Sequence, residues 1–280
     1  MIVKQALKFE TFSLHKIHAA DTLAFSAEAY SRFKFGHGGY AEQFGRELAL
    51  KFIRAHSELL LSEEKIVLLP SPYDSIPTAS NAMARSFRTV LNAFLARHEK
   101  KSLLESKIHR YKTYSVDYGN LDFEERLRLI SADTYHIDRD FLKEGLVLLI
   151  DDVRITGSHE LMIRNLIRKN EVPGHFVFLY YAELADKSVA PDFENYLNYF
   201  FVKDIRGILE MIHADFFIFN TRVIKYILGC DQKQFGLVLE TVQKDKLVQL
   251  CDHAFGNNYH LMTEYKENLE RIQQHIHYGH

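Results

Sequence analysis

The stretch LVLLIDDVRITGSH, residues 146–159, decides the fold class of this chain. It consists of five aliphatic residues, two adjacent aspartates and a turn of small residues that opens a helix. A continuous apolar run is typical of a strand that is buried on both faces of a parallel sheet. Open sheets of this kind bind their ligands at the carboxyl ends of the strands. The stretch therefore predicts an α/β fold with a ligand site directly after this strand.

The polar residues that follow the strand suit two chemical groups. The carboxylates of Asp151 and Asp152 can accept hydrogen bonds from a vicinal diol or help to hold a divalent cation. The backbone N–H groups of Thr156, Gly157 and Ser158 can surround a phosphate at the positive end of the next helix. A diol and a phosphate together suggest a ribose 5-phosphate. The alternative is a buried strand that happens to end in a polar turn, and the full order of strand, acid pair, turn and helix disfavours it.

This order of residues resembles the phosphoribosyl pyrophosphate (PRPP) signature of the type I phosphoribosyltransferases. The resemblance implies that Asp151 and Asp152 bind the 2′ and 3′ hydroxyls of the ribose. It implies that Thr156, Gly157 and Ser158 bind the 5′-phosphate. Mg²⁺ is the expected cofactor, held by the two aspartates directly or indirectly.

Three residues in the stretch make the predicted site unusual. Ile155 lies where the family usually has a hydroxyl or an acidic residue, and its side chain cannot bond a phosphate. His159 lies where the family usually has Thr, and its imidazole can replace the lost hydroxyl as a donor. Arg154 has two interpretations, a solvated charge and a contact to phosphate or to a partner. All three are counted among the predicted ligand-binding residues.

A segment further upstream, residues 66–81, reads IVLLPSPYDSIPTASN. A short apolar strand runs here into a proline-rich turn, which is where this fold usually places its pyrophosphate loop. The resemblance makes Ser71, Tyr73 and Asp74 candidates for that loop. Prolines remove backbone donors, however, and ordinary turn chemistry explains the segment equally well.

Two other segments are similar to ComF-like phosphoribosyltransferases. Residues 109–130 match the region before the PRPP strand, and Arg110 and Lys112 are its candidates for a basic clamp over pyrophosphate. Such a clamp would stabilise the departing negative charge.

Residues 30–49 are similar to the Lys-Gly segment of these proteins. Lys34 is the phosphate candidate there, and a solvated lysine is the more common alternative.

Composition limits the classes of protein that this chain can represent. Its 280 residues, 47% of them hydrophobic, suit one large or two modest domains. A net charge of −2 gives no general attraction to nucleic acid or to an anionic membrane. Cys230 and Cys251 are too few for a disulfide framework or a zinc site, and no apolar run is long enough to span a membrane. We expect a soluble cytoplasmic protein.

The pattern of apolar residues along the chain predicts a doubly wound, mainly parallel sheet. The predicted strands are residues 65–69, 146–150, 176–181 and 199–202, and the clearest helices are residues 40–55 and 79–97. From residue 221 onward the pattern is helical. We therefore expect an α/β domain over residues 1–220, with a helical C-terminal extension over residues 221–280.

The resemblance implies an enzyme that transfers the phosphoribosyl group of PRPP to a nitrogen acceptor and releases pyrophosphate. A regulatory or partner-binding protein that senses PRPP without transfer is the alternative, and Ile155 and His159 favour it. A role in DNA uptake is a third interpretation, which the neutral charge and the absence of a basic stripe disfavour. The sequence leaves open the acceptor and the oligomeric state, a homodimer included.

Overall fold

The computed structural model describes residues 7–19, 22–111, 124, 134–186 and 192–278. The chain forms two compact units. Unit 1 comprises Met1–Phe25, Ala41–Tyr73 and Ser80–Asn195, and unit 2 comprises Ser26–Tyr40, Asp74–Ala79 and Tyr196–His280. Unit 2 thus contains the expected C-terminal extension together with earlier segments. The domain boundary expected after residue 220 stays a prediction.

Unit 1 is built on a parallel sheet. The strands along the chain are β1 (Lys8–Ile17), β2 (Ile66–Pro70), β3 (Leu104–Glu105), β4 (His109–Tyr111), β5 (Thr134–His136), β6 (Leu146–Arg154) and β7 (His175–Leu184). The main sheet has the order β1-β7-β6-β2-β3, and all its neighbouring strands are parallel. Strands β4 and β5 form a separate antiparallel pair. Strand β6 lies in the middle of the main sheet, with neighbours on both sides.

The helices along the chain belong to both units. They are α1 (Ala27–Lys34), α2 (Gly38–Ser62), α3 (Ala79–Arg97), α4 (Arg139–Leu142), α5 (Ser158–Lys169), α6 (Phe193–Asn198), α7 (Ile205–His213), α8 (Thr221–Gly229), α9 (Gln232–Thr241), α10 (Lys244–Gly256) and α11 (Thr263–Tyr278). A 3₁₀ turn, Tyr259–Leu261, precedes the last of them. Among the residues that the structure describes, no helix is both long and apolar enough to cross a membrane.

Helices cover both faces of the main sheet. On one face, Ile163 and Ile167 of α5 share a buried core with Val147 of β6 and Phe176 of β7. The opposite face packs against α2, as shown by the edge-to-face contact between Phe12 and Phe52, whose ring centroids lie 5.3 Å apart. The predicted α/β class with a doubly wound, mainly parallel sheet is therefore confirmed.

Three of the four predicted strands are confirmed as β2, β6 and β7. The fourth prediction, a strand over residues 199–202, is wrong. Val202 is fully buried in the helical core of unit 2, so the apolar run there reflects burial without a sheet. The hydroxyl of Ser31 accepts a hydrogen bond from the backbone N–H of Phe201 at 3.0 Å. This bond takes the place of a hydrogen bond to a neighbouring strand. Strand β1 was not predicted.

Unit 2 is helical, and helices α7 to α11 share one hydrophobic core. Ile208, Ile224, Phe235 and Leu250 are among its fully buried members. The predicted helical C-terminal region is thus confirmed. Its first helix begins at residue 221 as expected, because the side chain of Asn220 caps it by accepting hydrogen bonds from two backbone N–H groups of the first turn.

Candidate functional site

The acid pair lies within the last residues of the central strand. The Oδ1 atom of Asp151 accepts a hydrogen bond from the backbone N–H of Asp152 at 2.9 Å. The Oδ1 atom of Asp152 accepts one from the N–H of Val153 at 2.7 Å. Asp152 is buried and Asp151 is half-buried. Each carboxylate is thus held by the backbone N–H group that follows it near the end of β6.

The segment between β6 and α5, residues 155–157, is called the β6 loop below. Gly157 has φ 75° and ψ 5°, a left-handed conformation that favours glycine, and it occupies the N-cap position of α5. Glycine supplies no side chain to cap the helix. Thr156 and Ser158 share a hydrogen bond of 3.0 Å between their hydroxyls. The N–H groups at the start of α5 are suited to an anionic acceptor such as phosphate.

His159 contacts one member of the acid pair, Asp151. Its Nδ1 atom lies 3.2 Å from Oδ2 of Asp151. Its Nε2 atom is buried and has no hydrogen-bond partner among the described residues. An N–H at Nδ1 would donate to the carboxylate and leave Nε2 as an acceptor. Ile155 is half-buried in the same loop.

Arg154 is bound to two carboxylates. Its Nε atom donates to Oε2 of Glu160 at 2.8 Å, and its Nη1 atom donates to Oε1 of Glu183 at 3.2 Å. Glu160 also accepts from Nε of Arg164 at 2.7 Å and from the hydroxyl of Tyr180 at 3.3 Å. The guanidinium therefore belongs to an internal ion-pair network, and neither interpretation made from the sequence described such a network.

Two other groups of this network have shifted pKa values. Burial raises the pKa of the Tyr180 phenol well above its ordinary value, so the hydroxyl stays protonated and can donate to Glu160. Burial pushes the pKa of Glu183 upward, but hydrogen bonds from Lys16 and Ser13 outweigh it and hold that pKa below its ordinary value. The protonated hydroxyl of Tyr180 and the charged carboxylate of Glu183 both favour the hydrogen bonds and ion pairs of this network at neutral pH.

A second set of predicted residues follows β2, in residues 71–73, here called the β2 turn. In the sheet register Pro70 pairs with Ile150, so Ser71 comes next to the position of Asp151. Ser71 is buried, and its hydroxyl has no hydrogen-bond partner in the described part of the chain. Tyr73 lies under the ammonium group of Lys107, which is 3.8 Å from the ring centroid.

Arg110 of the predicted clamp lies beside the β2 turn. Its backbone N–H donates to the carbonyl of Tyr73 at 3.3 Å. The side chain is buried, with its guanidinium carbon 5.8 Å from the ring centroid of Tyr135. The structure thus places Ser71, Tyr73 and Arg110 in unit 1 with the acid pair.

Three predicted residues lie outside the described part of unit 1. Lys112 lies outside the described residues. Asp74 and Lys34 belong to unit 2, where Lys34 ends α1 with its ammonium 5.8 Å from the ring centroid of Tyr30. Their roles in ligand binding stay predictions.

The two aspartates can hold Mg²⁺ only with help from other ligands. In the described ranges, no group of three or more His, Cys, Asp or Glu side chains is arranged to bind a metal ion. Mg²⁺ commonly keeps several waters and binds through one or two carboxylates and the phosphates of a substrate. The donors at Asp151 and Asp152 fit a magnesium ion of that kind.

Reasoning from the sequence missed the supports of the β6 loop, which are Glu160, Arg164, Glu183 and Thr11. Glu160 lies in the first turn of α5 and was not among the predicted site residues. The charge order Arg154 to Glu160 was a weak signal that the two residues pair. No signal marked Glu183, because its pairing with Arg154 depends on the register of β6 and β7.

Comparisons with known proteins give a family and little more. No curated protein matches the chain. A crystal structure of a hypoxanthine phosphoribosyltransferase from Staphylococcus aureus in a tetragonal space group is 10% identical, with a TM-score of 0.33 over 52% of this chain and 75% of that chain. The orthorhombic form of that protein is also 10% identical, with a TM-score of 0.31 over 60% of this chain and 80% of that chain. The model of the family described as "PRTase ComF-like" matches residues 9–272, and the chain therefore belongs to the ComF-like phosphoribosyltransferase family.

Proposed function

We propose that the protein binds PRPP at the end of β6 and transfers its phosphoribosyl group to a nitrogen acceptor, with release of pyrophosphate. One observation carries the proposal. The central strand ends in two aspartates, and a left-handed glycine then opens a helix whose first N–H groups can receive a phosphate. Membership of the ComF-like family supports the same ligand class.

Each part of PRPP has a group of residues to receive it. Asp151 and Asp152 accept hydrogen bonds from the 2′ and 3′ hydroxyls of the ribose. The backbone N–H groups of Thr156, Gly157 and Ser158, together with the hydroxyls of Thr156 and Ser158, bind the 5′-phosphate. The β2 turn faces the pyrophosphate, where the buried hydroxyl of Ser71 is a donor without a protein partner in the described residues.

The proposed reaction needs positioning more than a strong base. The C1′–O bond to pyrophosphate breaks, the acceptor nitrogen forms the new C1′–N bond, and the proton of that nitrogen passes to solvent or to the leaving pyrophosphate. The residues described above hold the sugar in place and stabilise charge on the leaving group. Bound Mg²⁺ would supply neutralisation of the pyrophosphate charge.

A cytoplasmic location is part of the proposal. Cys230 and Cys251 are both free thiols, as a reducing compartment would leave them. Burial raises the pKa of each thiol to about 11, so neither is reactive at neutral pH.

Thermal unfolding in the presence of ligand tests the proposal most directly. PRPP with Mg²⁺ should raise the unfolding temperature, because a ligand that binds only the native state stabilises it by linkage. At roughly a hundredfold excess over the dissociation constant the gain is about 2.7 kcal/mol. The matched variant Asp151→Asn should fold normally and lose most of this gain. No shift of the wild type at saturating PRPP and Mg²⁺ would refute the proposed ligand.

A second candidate function is a PRPP-binding regulator without transfer activity. Ile155 is the observation that favours it, because an aliphatic side chain lies where the family usually has a hydroxyl or an acid. Pyrophosphate release with a panel of bases and amines separates the two functions. A regulator should show the thermal shift and no release. Restoring the loop with Ile155→Thr and His159→Thr should then tighten PRPP binding.

A further inference from the structure

We infer that Arg154 is a positioning residue that fixes the β6 loop through Glu160 and Glu183 and does not itself bind the phosphate. This inference rests on the proposed function, since it concerns how the phosphate site is held. It assigns a role to the most unusual charge in the loop sequence.

The hydrogen bonds of Arg154 carry the first step. Its Nε and Nη1 atoms are both directed to carboxylates, at 2.8 Å and 3.2 Å. Arginine binds phosphate best through two parallel N–H groups of its planar fork. Its Nε atom and one N–H of Nη1 are committed to glutamates, so the Nε edge of the fork is taken and most of the guanidinium charge is balanced within the protein.

The second step is that both carboxylates are themselves held in place. Glu160 is 5% exposed and also accepts hydrogen bonds from Arg164 of α5 and from Thr11 of β1, at 2.7 Å and 3.1 Å. Glu183 accepts from Lys16 at 2.8 Å and from Ser13 at 3.0 Å. These partners lie on β1 and α5, so the glutamates are anchored to regular elements outside the loop.

The third step connects the guanidinium to the loop backbone. A Cβ atom added to Gly157 would lie 2.9 Å from Nη2 of Arg154. The guanidinium therefore packs directly against the turn that opens α5. It is confined between two anchored carboxylates and the loop, and it supports the left-handed turn at Gly157.

The consequence for binding is preorganisation. A loop that is already in its binding conformation loses less entropy when it receives a phosphate. Small errors in the placement of a binding group are costly, and positions within a fraction of an ångström matter. Loss of Arg154 should therefore weaken phosphate binding without removing any contact to the phosphate.

A double-mutant cycle with ribose 5-phosphate as the probe tests the inference. Arg154→Gln and Glu160→Gln should each weaken binding by about 10- to 100-fold, the range that partners of a ligand-binding group typically show. The double variant should bind no more weakly than the worse single variant, because both changes break the same support. Arg168→Gln is the matched control: it removes the same charge from an arginine of α5 that lies outside this network, and affinity should stay within about twofold.

Hydrogen exchange of the free protein supplies a readout that needs no ligand. Backbone amides of residues 155–159 should exchange faster in Arg154→Gln than in the wild type, while exchange in β6 and β7 stays the same. Additive losses of affinity in the cycle, or unchanged loop exchange in Arg154→Gln, would overturn the inference. If the wild type binds no ribose 5-phosphate, the proposed function fails and the exchange result alone decides the role of Arg154. If Glu160→Gln does not fold, Glu183→Gln replaces it in the cycle.

Discussion

The β6 loop and the β2 turn follow neighbouring strands of one sheet, yet their side-chain hydroxyls are in opposite states. Around the β6 loop, the hydroxyls of Thr156 and Ser158 bond each other and Arg154 bonds two carboxylates. In the β2 turn, the buried hydroxyl of Ser71 has no partner in the described part of the chain. A buried donor without a partner costs free energy. The hydroxyls and the guanidinium of the first region are paired within the protein, whereas the hydroxyl of the second region is not paired with any described residue.

This difference between the two regions matches the difference between the 5′-phosphate and the pyrophosphate of the proposed substrate. The 5′-phosphate stays on the ribose throughout the reaction, so its site can be rigid from the start. Pyrophosphate leaves, and catalysis gains only from contacts that strengthen as it departs. The variants below are chosen to break the rigid region or to test the β2 turn.

Glu160→Gln should have the largest effect on stability. Removing one partner of a buried ion pair commonly costs 3–5 kcal/mol, and the partial exposure of the two arginines places this variant near the lower end, at about 3 kcal/mol. Urea unfolding measures it. The control is Glu64→Gln, whose glutamate is 80% exposed and 3.4 Å from Lys100. That change should cost less than about 1 kcal/mol, and equal losses in the two variants would contradict the buried network.

Gly157→Ala should have the second largest effect on stability. Alanine in the left-handed conformation costs about 1–2 kcal/mol, and Arg154 cannot easily move away because two carboxylates hold it. The control is Gly236→Ala in α9, where an added Cβ meets nothing within 4 Å. Alanine there should stabilise the protein by about 0.5–1 kcal/mol, because it favours a helix. Unfolding curves in which both variants shift the same way would show that the turn at Gly157 is not constrained.

Ser71→Ala should leave stability unchanged or raise it by up to about 1 kcal/mol, because it removes a buried hydroxyl that has no partner in the described residues. It should weaken PRPP binding by roughly tenfold and leave ribose 5-phosphate binding unchanged, since only PRPP carries the pyrophosphate. Calorimetric titration with both ligands measures this. An equal loss for both ligands would place Ser71 away from the pyrophosphate.

A partnered buried serine is the control for that variant. The hydroxyl of Ser31 donates to the carbonyl of Asn198 at 2.7 Å and accepts from the N–H of Phe201 at 3.0 Å. Ser31→Ala should therefore destabilise the protein by about 1–3 kcal/mol. A similar cost for Ser71→Ala would mean that its hydroxyl has a protein partner after all.

Sequence patterns predicted best those elements whose burial is uniform. The apolar runs of β2, β6 and β7 mark strands covered on both faces, and the small-residue turn after β6 marks the start of α5. Strand β1 lies at the edge of the sheet, and only Ile17 among its residues is fully buried. Its sequence KFETFSLHKI is neither continuously apolar nor strictly alternating between apolar and polar residues. It therefore matches neither of the patterns that predict a strand.

Prediction of the site was limited in the same way, to features that a local stretch of sequence reveals. Asp151, Asp152 and Gly157 are adjacent in sequence, so their joint role was predictable from a local motif. The support of Arg154 by Glu183 joins two residues that are 29 positions apart in the chain and that the register of β6 and β7 brings together. Likewise, the apolar run at residues 199–202 was interpreted as a strand because burial in a helical core produces the same composition. Long-range partners of this kind are set by the fold, and a single sequence does not list them.

The smallest expected effect is a change in the acid dependence of stability, and it again separates the two regions. The folded protein holds the pKa of Glu183 below the ordinary value of 4.5, so the unfolded chain binds protons more readily than the folded one as the pH falls past that value. The stabilisation from Glu183 is therefore present above pH 4.5 and is lost as the pH falls through the lowered pKa. Unfolding measured from about pH 6 to about pH 3 should show the wild type converging on Glu183→Gln, whereas Ser71→Ala should run parallel to the wild type throughout. Histidines such as His15, whose pKa is lowered by burial, also destabilise the fold below pH 6.5, but they are common to all three proteins and cancel in the differences. A constant difference between the wild type and Glu183→Gln over the whole range would show that Lys16, Ser13 and Arg154 do not stabilise the charged form of Glu183.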